Sequence, residues 1–206
     1  MSAKIFCIGM GKTGTTSLEA FFRSLGYRAG AQHAGELLID AWVVRNFSPI
    51  IALATSADFF QDIPFSCPYT FQALDIAFPG AKFILSVRDD PDQWYHSLVR
   101  FHTKILGKDR VPTASDLHEY PYRYKGWIYD AMKFIFDIPD SEPYERDNLI
   151  RHYVNHNDSV ITYFKHRTND LLVINLSRPN VSEQIVKFVG KIYNGQKVPH
   201  LNRSSR

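Results

Sequence analysis

Cysteine is scarce in this chain of 206 residues, which contains only Cys7 and Cys67. Two thiols are too few for a disulfide-rich secreted scaffold, and Cys7 lies in an apolar run typical of a buried strand. The sequence also lacks a secretory leader pattern and any apolar run approaching the roughly eighteen residues that a membrane span needs. These absences predict a soluble protein without a membrane span, located in the reducing cytoplasm.

An excess of charge of one sign is also absent, because 24 Lys and Arg stand against 21 Asp and Glu, for a formal net charge of +3. The basic residues are scattered along the chain, which argues against nucleic-acid binding but allows one anionic small molecule to bind. A hydrophobic content of 45% excludes a disordered chain, and no internal repeat or low-complexity tract is present. The length predicts a single domain over residues 1–206.

Strand-like and helix-like segments alternate along the sequence. Three apolar runs, at residues 5–8, 83–87 and 171–176, are typical of buried strands, and each is followed by apolar residues at helical spacing. Residues from about 119 to 167 are also predicted to be largely helical. The pattern predicts an α/β fold of three layers, a parallel sheet flanked by helices, with the ligand site beyond the carboxyl ends of the strands.

Local signals mark where two of these helices begin and end. The pattern Thr16-x-x-Glu19 predicts a capping box at the start of the first helix, and Gly26 supplies its stop. Asp90 before Pro91 predicts the start of the helix that follows the second apolar run.

A glycine-rich segment, Gly9 to Thr16, connects the first strand to the first helix, where backbone N–H groups and the positive helix end attract a phosphate. Its three glycines match the dinucleotide-binding pattern GxGxxG, but the second strand with an acidic end that this interpretation needs is missing. The nucleoside triphosphate loop GxxxxGK[ST] requires a lysine where Thr15 stands, and Lys12 lies three residues earlier. A P-loop nucleotide kinase and a simple connecting turn remain alternatives at this point.

The displaced lysine resembles the phosphosulfate loop of the sulfotransferases, whose signature is a Lys, a Ser or Thr, and then Gly-Thr-Thr. The matching run is Lys12-Thr13-Gly14-Thr15-Thr16-Ser17-Leu18. The resemblance implies a P-loop-type fold, 3'-phosphoadenosine 5'-phosphosulfate as sulfuryl donor, 3',5'-adenosine bisphosphate as product, and no required metal. It also implies that Lys12 stabilises the leaving group. The backbone amides of Thr13, Gly14, Thr15, Thr16 and Ser17, with the hydroxyls of Thr15 and Thr16, would bind the 5'-phosphate.

A second match covers residues 82–97, where a strand ends in Arg88-Asp89-Asp90-Pro91 and the next helix carries Trp94-Tyr95 and Ser97. This run resembles the 3'-phosphate motif of the same family. An arginine at a strand end can present two N–H groups to a phosphate, and a serine about two turns into the helix adds a hydroxyl donor. Ser97 lies one position further from Arg88 than is common in the family. A surface salt bridge for Arg88 and a solvent-exposed hydroxyl for Ser97 are therefore the alternatives.

Weaker similarity to the family extends to three more segments. They are residues 30–42 with His33, the run Asp62-Ile63-Pro64, and the closing run Pro199-His200-Leu201-Asn202-Arg203. The resemblance therefore covers most of the chain and is thin between about residues 101 and 169, where acceptor-binding elements are expected to vary.

Sulfuryl transfer needs a general base near the acceptor, and the candidates are Asp62, His33, His96 and His102. We favour Asp62, whose loop could open onto the cleft, with His33 as the second candidate. A turn-capping aspartate and a helix-flanking histidine bonded to the backbone are the respective alternatives.

Other polar and aromatic residues have less specific interpretations. His152 and His156 are spaced to face one metal but lack a third ligand, so they are interpreted as a polar helix face. The aromatic residues from Tyr120 to Tyr129 line an acceptor pocket or pack in the core. The implied acceptor is a small molecule or a glycan or lipid, and its identity and the oligomeric state stay unknown. Because Gln72 or Ala73 occupies the family's acidic position, a non-catalytic nucleotide-binding protein of the same fold is another alternative.

Overall fold

A parallel β-sheet forms the centre of the fold, in a computed structural model that describes residues 3–199 and 201. The strands lie in the order β2-β1-β3-β4, and every pairing between neighbours is parallel. Their bounds are β1 Ile5–Cys7, β2 Phe59–Phe60, β3 Lys82–Ser86 and β4 Leu171–Ile174. The three predicted apolar runs correspond to β1, β3 and β4, whereas β2 was missed because two residues are too few to show a periodic pattern.

Helices flank the sheet and fill the connections between its strands. Their bounds are α1 Thr15–Ser24, α2 Gln32–Glu36, α3 Ile39–Val43, α4 Ser48–Ala54, α5 Thr70–Ala77, α6 Pro91–Ile105, α7 Ala114–Glu119, α8 Trp127–Phe136, α9 Arg146–Phe164 and α10 Val181–Phe188. The predicted α/β fold with a parallel sheet between helices is confirmed. Across the described ranges, no helix combines the length and the apolar character needed to cross a membrane.

The central strands β1 and β3 are buried on both faces of the sheet, as the alternation along β1 shows. Ile5 and Cys7 belong to a hydrophobic cluster that contains Leu18, Phe21 and Phe22 of α1, Val181, Ile185 and Val186 of α10, and Phe59, Ile84 and Ile174 of the neighbouring strands. Phe6 points to the opposite face, because successive strand residues alternate. Its ring centroid lies within 6.1 Å of the ring centroids of Phe60, Phe65, Phe78 and Phe83. Burial on two faces explains why these strands are continuously apolar in sequence.

The chain folds into two compact units. Among the described residues, the first unit contains those up to Asp89 and those from Asn157 to Pro199 with Leu201, and it includes strands β1 to β4. The second unit contains Asp90 to His156, with α6, α7, α8 and most of α9, so the helical stretch predicted near residues 119–167 is confirmed. In this unit Trp94 stacks on Tyr153 with ring centroids 4.5 Å apart. The single domain expected from the chain length stays a prediction.

The two predicted helix starts have different outcomes. The capping box with Thr16 as N-cap is wrong, because α1 begins at Thr15 and its N-cap, Gly14, has a left-handed φ of 100° and provides no side-chain bond. The Gly14 carbonyl instead accepts the first helical hydrogen bonds. Asp90 is confirmed as the N-cap of α6, where its side chain accepts a hydrogen bond of 2.7 Å from the backbone N–H of Gln93.

Candidate functional site

Three loops meet at the carboxyl edge of the sheet, because β2, β1 and β3 are adjacent parallel strands. The loops after these strands carry Asp62, Lys12 and Arg88 respectively. Lys12 interacts with both of the other charges: burial lowers its pKa most, Asp62 opposes this shift and Arg88 adds to it. The structure therefore brings together three predicted site residues that lie far apart in the sequence.

The glycine loop after β1 lies tightly against β3. A methyl group on Gly9 would lie 2.3 Å from Ser86 Oγ and 2.4 Å from the Ser86 carbonyl oxygen, so this position requires glycine. The Thr13 hydroxyl lies 2.6 Å from Ser86 Oγ and donates to the Met10 carbonyl at 2.7 Å. Thr13 is only 1% exposed, so its buried side chain stabilises the loop through these hydrogen bonds.

The start of α1 presents backbone amides beside this loop. Thr15 and Thr16 occupy the first two helical positions, where N–H groups have no acceptor within the helix. The Ser17 amide already donates to the Gly14 carbonyl at 3.0 Å, and the Ser17 hydroxyl accepts from the Leu201 amide at 3.1 Å. Thr15 is buried and Thr16 is exposed. The first two amides of the helix are therefore better suited to a phosphate than either polar group of Ser17.

Lys12 has an unusual backbone conformation in the middle of the loop. Its φ of 73° lies in the left-handed region that non-glycine residues rarely adopt. The guanidinium Nε of Arg88 donates to the Lys12 carbonyl at 2.6 Å and so supports this conformation. Burial lowers the pKa of the Lys12 ammonium to about 8, with Asp62 opposing the shift and Arg88 adding to it. Since burial makes the charged form of Lys12 unfavourable, an anion bound beside the ammonium would stabilise that charged form strongly.

Asp62 lies directly after β2, next to the glycine loop. A methyl group on Gly11 would lie 3.6 Å from Asp62 Oδ1, which shows how closely the carboxylate approaches the loop. The Ile63 amide donates to the same oxygen at 3.1 Å. Burial, with a smaller contribution from the Glu36 carboxylate, raises the pKa of Asp62 to about 6, while the Ile63 amide and Lys12 oppose the shift. Such a carboxylate is ionised at neutral pH and is more basic than an ordinary aspartate.

Glu36, which was not predicted as a site residue from the sequence, is the second carboxylate of this edge. It is 3% exposed at the end of α2 and accepts a hydrogen bond of 3.0 Å from Gln32 of the same helix. The structure also places the side chains of Gln32, Gln61 and Glu19 together, where they line one small pocket with the rings of Phe59, Phe60 and Phe65. The one sequence signal was the spacing of four residues from Gln32 to Glu36, which puts both side chains on one helix face.

His33 is exposed on α2, between the two residues that bond to each other there. The other histidine candidates lie on α6, where His96 is exposed and His102 is buried. The Nδ1 atom of His102 lies 2.8 Å from the hydroxyl of Tyr144 within the second unit. Of the four predicted bases, Asp62 interacts with Lys12, which lowers the pKa that burial and Glu36 raise.

Ser97 lies on α6 in the second unit and is 5% exposed. The alternative of a solvent-exposed hydroxyl is therefore wrong, since the apolar side of α6 buries this position together with Trp94 and Leu98. Contact of Ser97 with a 3'-phosphate stays a prediction. The closing residues His200, Asn202 and Arg203 lie outside the described residues.

The second unit also decides two of the less specific interpretations. The polar helix face is wrong for His156, which is 3% exposed because α9 turns it into the protein, whereas His152 is half-buried beside the ring of Phe136. Among the aromatic residues, Trp127 and Tyr129 are buried on α8, as core packing requires. Among residues 3–199 and 201, no three His, Cys, Asp or Glu side chains are grouped so as to hold a metal ion.

A parallel sheet with a glycine loop between its first strand and first helix is typical of P-loop-type α/β proteins. The family model of the sulfotransferase domain matches residues 4–206 of the chain. The chain therefore belongs to the sulfotransferase family. A comparison with curated proteins gave no significant match.

Proposed function

We propose that the protein transfers a sulfuryl group from 3'-phosphoadenosine 5'-phosphosulfate to a hydroxyl or amine acceptor. The observation that supports this reaction most directly is the interaction of Lys12 with Asp62 beside the glycine loop. The transfer needs a cation that stabilises the leaving group and a general base that accepts the proton of the acceptor. The buried Lys12 ammonium and the Asp62 carboxylate, which its raised pKa makes more basic, provide these two groups. Membership of the sulfotransferase family gives the reaction class.

The residues of the loop fit a donor that carries several negative charges. Lys12 and Arg88 supply positive charge, and the positive end of α1 supplies the amides of Thr15 and Thr16. We assign the 5'-phosphate to these amides and the Thr16 hydroxyl, which is exposed. The 3'-phosphate is assigned to Arg88, whose guanidinium has five N–H donors and uses Nε for the Lys12 carbonyl. Ser97 is the proposed second contact of the 3'-phosphate.

When bound, the donor supplies a sulfuryl group whose sulfur–oxygen bond to the 5'-phosphate breaks as the acceptor oxygen or nitrogen bonds to sulfur. Asp62 takes the proton that the acceptor loses. The Lys12 ammonium stabilises the negative charge that develops on the bridging oxygen of the leaving 3',5'-adenosine bisphosphate. No metal ion is needed, because Lys12 and the helix start provide the positive charge. His33 is the second candidate for the base if the acceptor approaches from α2.

Calorimetric titration with 3',5'-adenosine bisphosphate tests the donor site, beside ATP with magnesium. We expect metal-independent binding that is lost in Arg88→Ala, which removes both a phosphate contact and the support of the Lys12 carbonyl. Arg178→Ala is the matched control, because Arg178 is exposed and pairs with Asp89. Binding of magnesium ATP without binding of the bisphosphate would contradict the proposal and support the alternative of a P-loop kinase.

Turnover separates an enzyme from a non-catalytic nucleotide-binding protein of the same fold. Lys12→Ala is expected to lower sulfuryl transfer by orders of magnitude, with Lys187→Ala as a control for an exposed lysine paired with Glu183. An acceptor screen should include small hydroxyl and amine compounds, glycans and lipids. A protein that binds the bisphosphate but transfers to none of these acceptors would favour the non-catalytic alternative.

The cytoplasmic location also stays a prediction. Support comes from Cys7 and Cys67, which are both free and buried, as in proteins that keep their thiols reduced. Fractionation of cells that produce the natural full-length protein would test it.

A further inference from the structure

The side chain of Gln32 lies between the two carboxylates of the site. Its Nε2 atom is 3.0 Å from Glu36 Oε1 and 3.4 Å from Asp62 Oδ2. This nitrogen carries two N–H groups, so it can donate one to each carboxylate. Two carboxylates in a partly buried site repel each other, and a donor between them reduces that cost.

A chain of hydrogen bonds determines which end of the Gln32 amide faces the carboxylates. Gln32 Oε1 accepts from Gln61 Nε2 at 3.2 Å, and Gln61 Nε2 also donates to Glu19 Oε2 at 3.1 Å. Arg23 in turn holds Glu19 Oε1 at 2.9 Å. A reversed Gln32 amide would direct its oxygen at two carboxylates and its nitrogen at the nitrogen of Gln61. The neighbours therefore permit only one orientation.

The two oxygens of Asp62 have different surroundings. The contact with Gln32 is made by Oδ2, while Oδ1 accepts from the Ile63 amide and lies towards Gly11 of the loop that carries Lys12. A donor on Oδ2 thus restrains the rotation of the carboxylate. Gln61 is 5% exposed and packs behind Gln32, so the amide that restrains Asp62 is itself restrained.

We propose that Gln32 is a positioning residue, which holds Asp62 by its Oδ2 atom so that Oδ1 faces the loop and the acceptor. The inference rests on the proposed role of Asp62 as the general base. Gln61 acts one step further away, by orienting the Gln32 amide.

A consequence for pH dependence follows from the groups that face Asp62. These are Glu36 of α2, Glu19 of α1, Lys12 of the glycine loop, and the buried thiols of Cys7 and Cys67. Of the charged groups, only Lys12 favours the ionised form of Asp62. An N–H donor also favours that form, so removing Gln32 should make Asp62 harder to ionise.

The test is Gln32→Leu, examined by carboxyl carbon NMR titration and by kcat/KM against pH. The Asp62 signal is assigned by its loss in Asp62→Asn. We expect the Asp62 titration midpoint to rise by about one pH unit, which corresponds to a roughly tenfold loss of ionised base below the midpoint. The deficit in kcat/KM relative to the native protein should shrink as the pH rises. Gln61→Leu should shift both quantities in the same direction by less, and it provides a second variant if Gln32→Leu does not fold.

Gln184→Leu on α10 is the matched control, because it makes the same substitution at an exposed position. Binding of 3',5'-adenosine bisphosphate is measured for every variant, and the NMR titration does not depend on activity. An unchanged Asp62 midpoint in folded Gln32→Leu, or a deficit equal at all pH values, would overturn the positioning role. Absence of transfer in the native protein with a shifted midpoint would instead overturn the proposed function.

Discussion

Replacing Asp62 by Asn is expected to stabilise the folded protein at neutral pH. Burial and the Glu36 carboxylate raise the pKa of Asp62 from an ordinary value of 3.8 to about 6. Because Asp62 is harder to ionise in the folded state than in the unfolded state, its ionisation lowers the free energy of unfolding. This loss of stability is fully present above pH 6 and absent below pH 3.8. A shift of about two units corresponds to roughly 3 kcal/mol. The attraction of Lys12 is already part of this net shift, and the carboxylate is partly exposed and screened by solvent, so we expect a gain of about 1 to 3 kcal/mol.

Urea unfolding followed by circular dichroism, at pH 7.5 and at decreasing pH, measures this free energy. The difference between Asp62→Asn and the native protein should decrease as the pH falls through 6. Asp58→Asn is the control of opposite sign, since its hydrogen bonds with Arg28 lower the pKa of Asp58 and its pairing contributes stability that is lost at low pH. That exposed ion pair should contribute less than about 1 kcal/mol. Loss of stability in Asp62→Asn at pH 7.5, or a gain that does not change with pH, would refute the reasoning.

Two further predictions concern the loop and its charges. The profile of kcat/KM against pH should be bell-shaped, rising near pH 6 as Asp62 ionises and falling near pH 8 as Lys12 loses its proton. Lys12→Arg should move the alkaline limb of this profile to higher pH. A flat profile between pH 6 and pH 8 would contradict both assignments. Gly9→Ala should cost about 2 to 4 kcal/mol of unfolding free energy and weaken bisphosphate binding, because its methyl group would overlap the Ser86 backbone. In Gly11→Ala the methyl group meets Asp62 Oδ1 at an ordinary 3.6 Å, so equal stability losses in the two variants would show that the contact with β3 is not the cause.

At the start of α1 the glycine loop was predicted correctly, but the N-cap of the helix was not. The Thr16-x-x-Glu19 pattern has the sequence of a capping box, yet the Glu19 carboxylate bonds to Arg23 and Gln61, and the N-cap is Gly14, two residues before Thr16. The left-handed Gly14 ends the loop and starts the helix without a side-chain cap. Tertiary contacts of the loop therefore outweighed the local capping preference.

The sequence by itself determined the features that depend on neighbouring residues. Continuous apolar runs predicted three of the four strands in the described part of the chain, helical spacing predicted α1, α6 and α10, and the order of residues in the glycine loop indicated the family. Lys12 and Arg88 could be predicted from the sequence because each lies in or beside a recognisable motif at the end of a strand. Asp62 was selected from a weaker resemblance, and the structure places it beside the same loop.

Only the tertiary structure decided how the carboxylates are arranged. The contact between Gln32 and Asp62 joins residues 30 positions apart, and the contact between Gln61 and Glu19 joins residues 42 positions apart. No periodic pattern encodes such pairs, because they form when a strand of two residues, β2, is added beside β1. The burial of Glu36, Ser97 and His156 was likewise set by packing. The sequence specified the elements and the loop, and packing of the parallel strands brought their polar ends to one edge and set the pKa values there.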